Sequence, residues 1–170
     1  MEDFRVLAER HHKTVFRLAY RMTGNQHDAE DVVQESLLRA YKQHSKFDGR
    51  SAFSTWLHRI TANCAIDLIR ARKQRHFRQG AEVNPEITVS PHPSPERLAS
   101  SGEIHQLLEP ALAELSGMER AAFVMRHYEG LGIEDISIAL GVQPNAAKHT
   151  VFRAVQKLRR ALQPALGVPR

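Results

Sequence analysis

The stretch AFSTWLHRITANCAIDLIRARKQRH, residues 52–76, combines an apolar start that contains aromatic residues with a run of cations at its end. Phe53, Trp56, Ile60, Cys64 and Leu68 recur at three- and four-residue steps, which predicts an amphipathic helix. At 1.5 Å per residue this helix is roughly 37 Å long. A core helix needs no basic end, and a helix that only contacts DNA needs no aromatic start. The stretch therefore predicts a helical fold and indicates more than one role.

The same helical period recurs along the rest of the chain, and no segment alternates between apolar and polar residues as a strand would. In the second helix the predicted apolar stripe includes Leu37 and Tyr41. Local signals mark helix ends, because Gly24 suits a stop position, and Ser116 with Glu119 matches a capping box. The sequence thus predicts an all-α fold, with further helices over residues 4–22, 27–43, 103–114, 117–128, 133–140 and 144–162.

Residues 78–102 differ in composition from both of their flanks. Pro85, Pro91, Pro93 and Pro95 interrupt a polar segment with almost no periodicity, which is typical of a linker. We therefore predict two small helical domains joined by a flexible linker. Their expected bounds are residues 4–77 for the first domain, 78–102 for the linker and 103–163 for the second domain.

The overall composition favours a soluble protein with an acidic partner. The chain has 170 residues, a formal net charge of +5 and a pI near 9.7. Basic proteins bind polyanions because contact with phosphates releases condensed counterions. Cys64 is the single cysteine, which excludes an intramolecular disulfide, and its apolar neighbours predict a buried thiol. The first residues lack the apolar stretch of a signal peptide, so we expect a cytoplasmic protein without membrane insertion.

A short helix, a tight turn and a longer basic helix follow one another over residues 133–158. Gly141 suits the turn, and all five charged residues between Asn145 and Arg160 are positive. This is the order of a helix-turn-helix, whose second helix enters the major groove of DNA. The alternative is a solvated helical hairpin that binds nothing. The side chains expected nearest to DNA are Asn145, Lys148, His149 and Thr150.

The first predicted domain is divided into an acidic and a basic part. Residues 26–35 contain four acids and no Lys or Arg, whereas residues 51–79 contain six bases against one acid. Asp28, Asp31 and Glu35 share one helix face, where like charges are unfavourable unless a basic surface receives them. DNA would be repelled there, so we expect a basic protein partner. The alternative is a solvated face, helped by acids near a helix start.

A polar line crosses the helix of the opening stretch. Arg59, Asn63, Asp67 and Arg70 follow at steps of four, four and three residues. Asp67 and Arg70 can form a simple ion pair, and Asn63 can be a satisfied polar residue between helices. With the aromatic start and the basic end, the line also suits a surface that grips separated DNA strands. On such surfaces, stacking or pocket capture stabilises an unpaired base by about 1–3 kcal/mol.

Two parts of the chain are similar to parts of one known family. TGNQHDAEDVVQESLLRAY, residues 23–41, and FDGRSAFSTWLHRITANCAIDLIR, residues 47–70, closely resemble region 2 of bacterial sigma-70-type factors of the extracytoplasmic function (ECF) class. Residues 108–162 resemble region 4 of the same family. The resemblance implies a non-enzymatic subunit that binds core RNA polymerase, recognises the promoter −10 and −35 elements and assists melting.

The resemblance assigns roles to individual residues. Docking on the clamp helices of the polymerase β′ subunit would involve Asp31, Gln34 and Glu35, with Asp28 on the same face. Capture of a flipped −10 base and binding of the upstream duplex would involve Phe47, Arg50, Ser51, Phe53, Asn63, Arg70, Arg72, Lys73 and Arg75. Recognition of the −35 element, beside a contact with the β flap, would involve Asn145, Lys148, His149, Thr150, Arg153 and Lys157.

The start of the recognition helix departs from the pattern of that family. The usual order is Gly-Thr-Val, then Lys or Arg, Ser and Arg, whereas this chain has NAAKHT at residues 145–150. The arginine expected at the place of Thr150 is absent. We therefore expect contacts by His149 or Arg153 to contribute more to −35 recognition than is usual.

Other classes of function explain only parts of the sequence. A helix-turn-helix regulator that acts without being a polymerase subunit would use the first domain for regulation or dimerisation. Binding of the acidic face to core polymerase would distinguish the two classes. An enzyme would need a catalytic or metal-binding pattern, and no H-E-x-x-H motif or Cys/His cluster exists, so we expect no catalytic residue, metal or cofactor. The resemblance also implies an anti-sigma factor as a partner, and association with the nucleoid when the chain is bound to polymerase.

Overall fold

The computed structural model describes residues 2–79, 102 and 106–166. Every regular element within these residues is a helix, which confirms the predicted all-α fold for this part of the chain. The helices are α1 (Phe4–Thr23), α2 (Gln26–Gln43), a 3-10 helix (His44–Lys46), α3 (Phe53–Gln79), α4 (106–113), α5 (Gly117–His127), α6 (Ile133–Leu140) and α7 (Pro144–Leu166).

The N-terminal segment, residues 2–79, is built from α1, α2 and α3. Helix α1 ends at Gly24, whose φ of 80° favours glycine and whose N–H donates to the Tyr20 carbonyl at 2.8 Å. The Asn25 side chain then caps α2, because its oxygen accepts from the N–H of Asp28 at 2.9 Å. The predicted stop signal is thus confirmed, and it reverses the chain within two residues.

The C-terminal segment, residues 106–166, contains α4 to α7. Helix α5 begins with the predicted capping box, in which the Ser116 hydroxyl accepts from the Glu119 N–H at 3.2 Å and the Ser116 N–H donates to the Glu119 carboxylate at 3.0 Å. Helix α6 ends at Gly141, where φ is 67°. Helix α7 starts at Pro144 as predicted and continues to Leu166, beyond the predicted end at residue 162.

The two segments share one apolar core. Helix α6 packs against α3, and α5 packs against both α1 and α3. The closest approach is at Gly117, where a Cβ atom would lie 3.2 Å from the Ile66 side chain. Core residues from both segments include Leu18, Met22, Leu57, Val124, Met125 and Ile136. Leu112, Leu115, Ala154 and Leu158 form a second, smaller cluster between α4 and α7.

The predicted linker, residues 78–102, lies almost entirely outside the described residues. Helix α3 continues through Gln79, past the predicted end of the first domain at residue 77. The contact between the two segments was not predicted from the sequence, and the domain bounds stay a prediction.

Candidate functional site

Helix α2 presents an open acidic strip, which we define as Asp31, Gln34 and Glu35. All three residues are exposed, and the side chains of Asp31 and Glu35 are 53% and 48% accessible. The Asp31 carboxylate lies 3.7 Å from the imidazole Nε2 of His27 and within 4.8 Å of the Asp28 carboxylate. Glu35 accepts a hydrogen bond from Arg39 at 2.6 Å. The strip therefore keeps exposed negative charge that a basic partner can reach.

Asp28 does not belong to this open surface, although it was predicted to lie on the same face. The residue is only 2% exposed, and its carboxylate accepts from the Asn25 amide at 2.7 Å and from Arg72 of α3. These bonds join the start of α2 to the basic end of α3. Asp28 thus has a structural role, and we leave it out of the proposed docking contacts.

Two apolar side chains extend the acidic strip along α2. Leu38 and Tyr41 lie three and six residues beyond Glu35, and they are 48% and 65% exposed. The prediction that Tyr41 lies in the apolar core stripe of α2 is wrong, because the ring packs only edge-on against Phe4, at 5.4 Å between centroids. Sequence reasoning missed this surface, although the three-residue steps from Glu35 to Leu38 and Tyr41 could have revealed it.

The loop before α3 and the first turn of α3 together carry an aromatic cluster formed by Phe47, Phe53 and Trp56. The ring centroids lie 5.2 to 5.7 Å apart, and all three residues are partly buried. Arg50 and Ser51 lie between these rings in sequence, with Arg50 exposed and its Nε 3.0 Å from the Asp48 carboxylate. The loop thus combines a rigid aromatic base with an exposed cation.

The polar line of α3 faces solvent along its whole length. Arg59, Asn63, Asp67 and Arg70 are all exposed. Asp67 accepts from Arg39 of α2 at 3.2 Å, so its ion-pair partner lies on the neighbouring helix. Asn63 is not a buried polar residue between helices, and its amide is open to a ligand.

The basic end of α3, which we define as residues 70–75, is part of a continuous helix. Arg70, Arg72, Lys73 and Arg75 are all exposed. Arg72 retains 48% of its side-chain exposure while it binds Asp28. The basic end therefore presents several exposed cations around the C-terminal part of α3.

Helix α7 presents a second cationic surface at its start. We define the reading face as Asn145, Lys148 and His149, which are exposed and lie within one turn of each other. The helix-turn-helix geometry is present, since α6 ends at Gly141 and α7 begins three residues later. Phe152 is 61% exposed and follows Lys148 by one turn, an apolar addition to this face that was not predicted.

Thr150 lies off the reading face, although it was predicted to face DNA. It is 6% exposed, and its hydroxyl donates to the Ala146 carbonyl at 2.8 Å. Arg153 donates to the same hydroxyl at 3.4 Å and keeps a 62% exposed side chain. We therefore leave Thr150 out of the proposed DNA contacts and keep Arg153.

Glu119 compensates part of the positive charge of α7. Lys157 donates to its carboxylate at 2.8 Å, and Arg153 Nε lies 3.9 Å away. Burial would raise the pKa of Glu119, but hydrogen bonds from Lys157 and the Ser116 N–H, with the charges of Lys157 and Arg153, lower it overall. Because both cations remain half-exposed or more, they can still contact phosphates.

The described residues give little support for a metal or thiol site. One group of possible ligands among them, His27, Asp28 and Asp31, includes a carboxylate that Asn25 and Arg72 already bind. Cys64 is 4% exposed, and burial raises the pKa of its thiol, as expected for a packed side chain. Among the described helices, none is both long and apolar enough to cross a membrane.

An open acidic strip on α2 and two cationic surfaces, on α3 and α7, are the arrangement expected of a protein that binds both a basic protein surface and DNA. The comparisons with known proteins give the family. Residues 7–75 match the model of sigma-70 region 2, and residues 105–158 match that of sigma-70 region 4. The chain belongs to the ECF family of RNA polymerase sigma factors.

Curated relatives support this assignment over nearly the whole chain. The chain is 35% identical to the ECF sigma factor SigE of Mycolicibacterium smegmatis over 94% of its own length, and it spans 61% of the length of SigE. It is 31% identical to SigW of Bacillus subtilis, with 88% of this chain and 83% of SigW covered. A sigma factor is an RNA polymerase subunit for transcription initiation, and the region 2 match disfavours a regulator that acts without polymerase.

Two solved structures share the fold. One is the sigma factor RpoE in complex with the anti-sigma factor NepR from Bartonella quintana, with a TM-score of 0.73, 24% identity, and 96% of this chain and 98% of that chain covered. The other is CnrH in complex with the cytosolic domain of CnrY, with a TM-score of 0.64, 24% identity, and 95% and 88% covered. At this identity the likeness concerns the fold.

Proposed function

We propose that this sigma factor docks on the β′ clamp helices of core RNA polymerase through the acidic strip. The observation that carries the proposal is that Asp31 and Glu35 remain half-exposed, while the basic end of α3 and the reading face of α7 lie on other helices. A clamp surface with cations would receive the strip, and Leu38 and Tyr41 would add apolar contact next to it.

The aromatic loop and the polar line of α3 would engage the −10 element. Phe47, Phe53 and Trp56 form a rigid base, so Arg50 and Ser51 are held beside a surface on which an unpaired base can stack or insert. Asn63 offers an exposed amide that can pair with a base edge. The basic end would hold the phosphates of the upstream duplex.

Replacing Asn63 by alanine is expected to reduce promoter opening about tenfold without changing the affinity for core polymerase. The expected loss reflects one base contact, which is worth about 1–3 kcal/mol. Permanganate reactivity of unpaired thymines measures opening, and polymerase binding is measured separately. Gln79→Ala, an exposed position of α3 outside the basic end, is the matched control. Equal reactivity for Asn63→Ala and wild type would remove Asn63 from the site.

The reading face of α7 would recognise the −35 element. Asn145, Lys148 and His149 are placed at the start of the second helix of the helix-turn-helix, the part that enters the major groove. Arg153 and Lys157 would contact the flanking phosphates, and Phe152 offers an apolar contact for a thymine methyl group. The rest of the C-terminal segment would touch the β flap.

An anti-sigma factor is proposed as a further partner of this chain. One solved structure of similar fold is the sigma factor RpoE in complex with the anti-sigma factor NepR, and the other is CnrH in complex with the cytosolic domain of CnrY. Affinity purification of the full chain from native cells is expected to recover a non-polymerase protein at near-equal amounts when the sigma factor is inactive. Recovery of polymerase subunits alone under every growth condition would contradict this proposal.

The proposed role is that of a regulatory subunit and not of a catalyst. Each surface described above is suited to binding, and the one thiol is buried. We propose that the chain acts in the cytoplasm, where polymerase and chromosome meet, and that it associates with the nucleoid as part of the polymerase complex.

A further inference from the structure

An aromatic side chain near the end of α3 is almost fully exposed. Phe77 is 91% accessible, the highest value among the large apolar side chains of the described residues, ahead of Tyr41 at 65% and Phe152 at 61%. It belongs to neither of the two apolar clusters described above. Because a phenylalanine ring has a large apolar area whose burial is favourable, a ring left this open is a candidate contact for a partner.

The part of α3 that carries Phe77 projects beyond the apolar core. The last buried residue of the helix is Ile66, and every residue from Arg70 to Gln79 is exposed. The helix continues through this stretch without Pro or Gly, the residues that most often cause a kink. At a rise of 1.5 Å per residue, residues 70–79 extend about 15 Å. This part of α3 is therefore accessible to a large partner.

Phe77 lies on the face of α3 that is proposed to read the −10 element. Asn63, Arg70 and Phe77 follow at seven-residue steps, so they lie within about 40° of one another around the helix axis. Asn63 and Phe77 are about 21 Å apart along this axis. Since base pairs of a duplex rise about 3.4 Å each, this length spans at most about six base pairs. The basic end lies between the two residues, so Phe77 would meet base pairs of the upstream duplex.

The charge around Phe77 favours a polyanion over a basic protein surface. Residues 68–81 contain no Asp or Glu. Arg70 and Lys73 lie seven and four residues before Phe77 on the same side of the helix, and Arg78 follows it directly. All three cations are exposed. A basic surface of the kind proposed for the acidic strip would be repelled here, whereas DNA phosphates would be attracted, so DNA is the partner that the charge favours.

The chemistry of the ring limits what it can recognise on DNA. A phenylalanine side chain has no hydrogen-bond donor or acceptor, so it reads a base pair through apolar contact. In the major groove the apolar group of a base pair is the thymine methyl, and phenylalanine is one of the side chains that contact it. The major groove also admits an α-helix, which would leave Arg70 and Lys73 near the flanking phosphates. These properties predict a preference for A·T over G·C where Phe77 meets the duplex.

We propose that Phe77 is a further sequence-reading contact of this sigma factor. Its ring packs on a thymine methyl group in the duplex between the −10 and −35 elements, within about six base pairs of the base that Asn63 meets. This inference rests on the proposed function, because it requires the promoter duplex to lie along α3. It also goes beyond that function, since cations of the basic end alone would hold phosphates of any sequence.

Removal of thymine methyl groups from the DNA tests the contact. The probe is a promoter fragment recovered by run-off transcription, in which the base pairs directly upstream of the −10 element are replaced by a block of A·T pairs. Deoxyuridine in place of every thymine of this block removes only the methyl groups. With the full chain and core polymerase, we expect the affinity of the wild type to fall about fourfold. Phe77→Ala is expected to bind the thymine probe at least about fourfold more weakly than wild type, and to bind both probes equally.

Two further variants separate the methyl contact from effects on folding. Phe77→Leu keeps an apolar side chain and is expected to retain part of the methyl dependence. Gln79→Ala, exposed on the opposite side of α3, is the matched control and is expected to keep the affinity and the methyl dependence of the wild type. Circular dichroism checks that the helices of each variant are formed. Equal losses with deoxyuridine for wild type and Phe77→Ala, or no loss for either, would overturn the contact.

Photocrosslinking identifies what covers Phe77 in the promoter complex. The full chain with Phe77→p-benzoylphenylalanine, bound to core polymerase and the thymine probe, is expected to crosslink to DNA within the A·T block. Crosslinks to a polymerase subunit or to the sigma factor itself, without crosslinks to DNA, would overturn the proposal. A promoter complex that depends on both promoter elements but not on the methyl groups would overturn the Phe77 contact alone. If the wild type formed no promoter complex with polymerase, the proposed function would be contradicted as well.

Discussion

Replacing Asp31 by arginine is expected to abolish binding to core RNA polymerase while the helices remain folded. The Asp31 side chain is 53% exposed, and within the described residues its salt bridge is to the exposed His27 at 3.7 Å, so its replacement breaks no buried ion pair. Against a cationic partner, the new guanidinium replaces attraction by like-charge repulsion, which costs several kcal/mol at an interface. We expect the affinity to fall at least about 100-fold, equivalent to about 2.8 kcal/mol.

Asp31 tests docking more cleanly than its neighbour Glu35. Glu35 binds Arg39, which also binds Asp67, so a change at Glu35 would disturb the contact between α2 and α3. The matched control for Asp31→Arg is Glu9→Arg, the same charge reversal at an exposed acid of α1. Fluorescence anisotropy of the labelled full chain with core polymerase gives the affinities. If both reversals reduced binding equally, total charge would govern the interaction, and the acidic strip would not be its site.

Replacing Lys148 by glutamate is expected to reduce promoter binding by the polymerase complex about 10- to 100-fold. Lys148 is exposed at the start of α7, on the part of the helix that enters the major groove. The variant removes a cation and places a carboxylate near phosphates and base edges, at an expected cost of about 1.4–2.8 kcal/mol. A separate Lys148→Ala variant should reduce the slope of log affinity against log salt by about one.

The effect of Lys148→Glu should depend on the −35 element. On promoter DNA with a scrambled −35 sequence, the loss caused by Lys148→Glu is expected to be smaller than on the intact promoter, since only the electrostatic part of the contact remains to be lost. Lys13→Glu, an exposed charge reversal on α1, is the matched control. Equal losses for the two variants on intact promoter DNA would show a nonspecific electrostatic effect and contradict the assignment of α7.

The helix ends that the sequence predicted are those determined by local chemistry. Gly24 adopts a positive φ, and Ser116 and Glu119 exchange two hydrogen bonds as a capping box requires. Pro144 begins α7. A proline is favoured there because the N–H groups of the first helical turn have no partner within the helix, so the N–H that proline lacks is not needed. Each of these signals involves residues within four positions of one another, so one sequence was sufficient to find them.

The errors concern side chains whose surroundings come from distant parts of the chain. Asp28 shares the spacing of the acidic strip, but Arg72 of α3 reaches back to bind it. Tyr41 has the spacing of the core stripe, yet it is 65% exposed, so none of the described helices covers its outer side. The contact between Glu129 and Arg17 joins positions 112 residues apart, and periodicity carries no information on such pairs. The exposed surfaces could therefore be approximated from the sequence, whereas the contact between the two segments could not.

Run-off transcription with core polymerase and a library of genomic promoter fragments tests the central claim, that one chain joins polymerase to two promoter elements. Addition of the full chain is expected to yield transcripts from a subset of fragments that share two sequence elements at a fixed spacing. Asp31→Arg should lose all of these transcripts. Sequence-specific binding of the chain to these fragments without polymerase, together with no transcript when polymerase is present, would contradict the account.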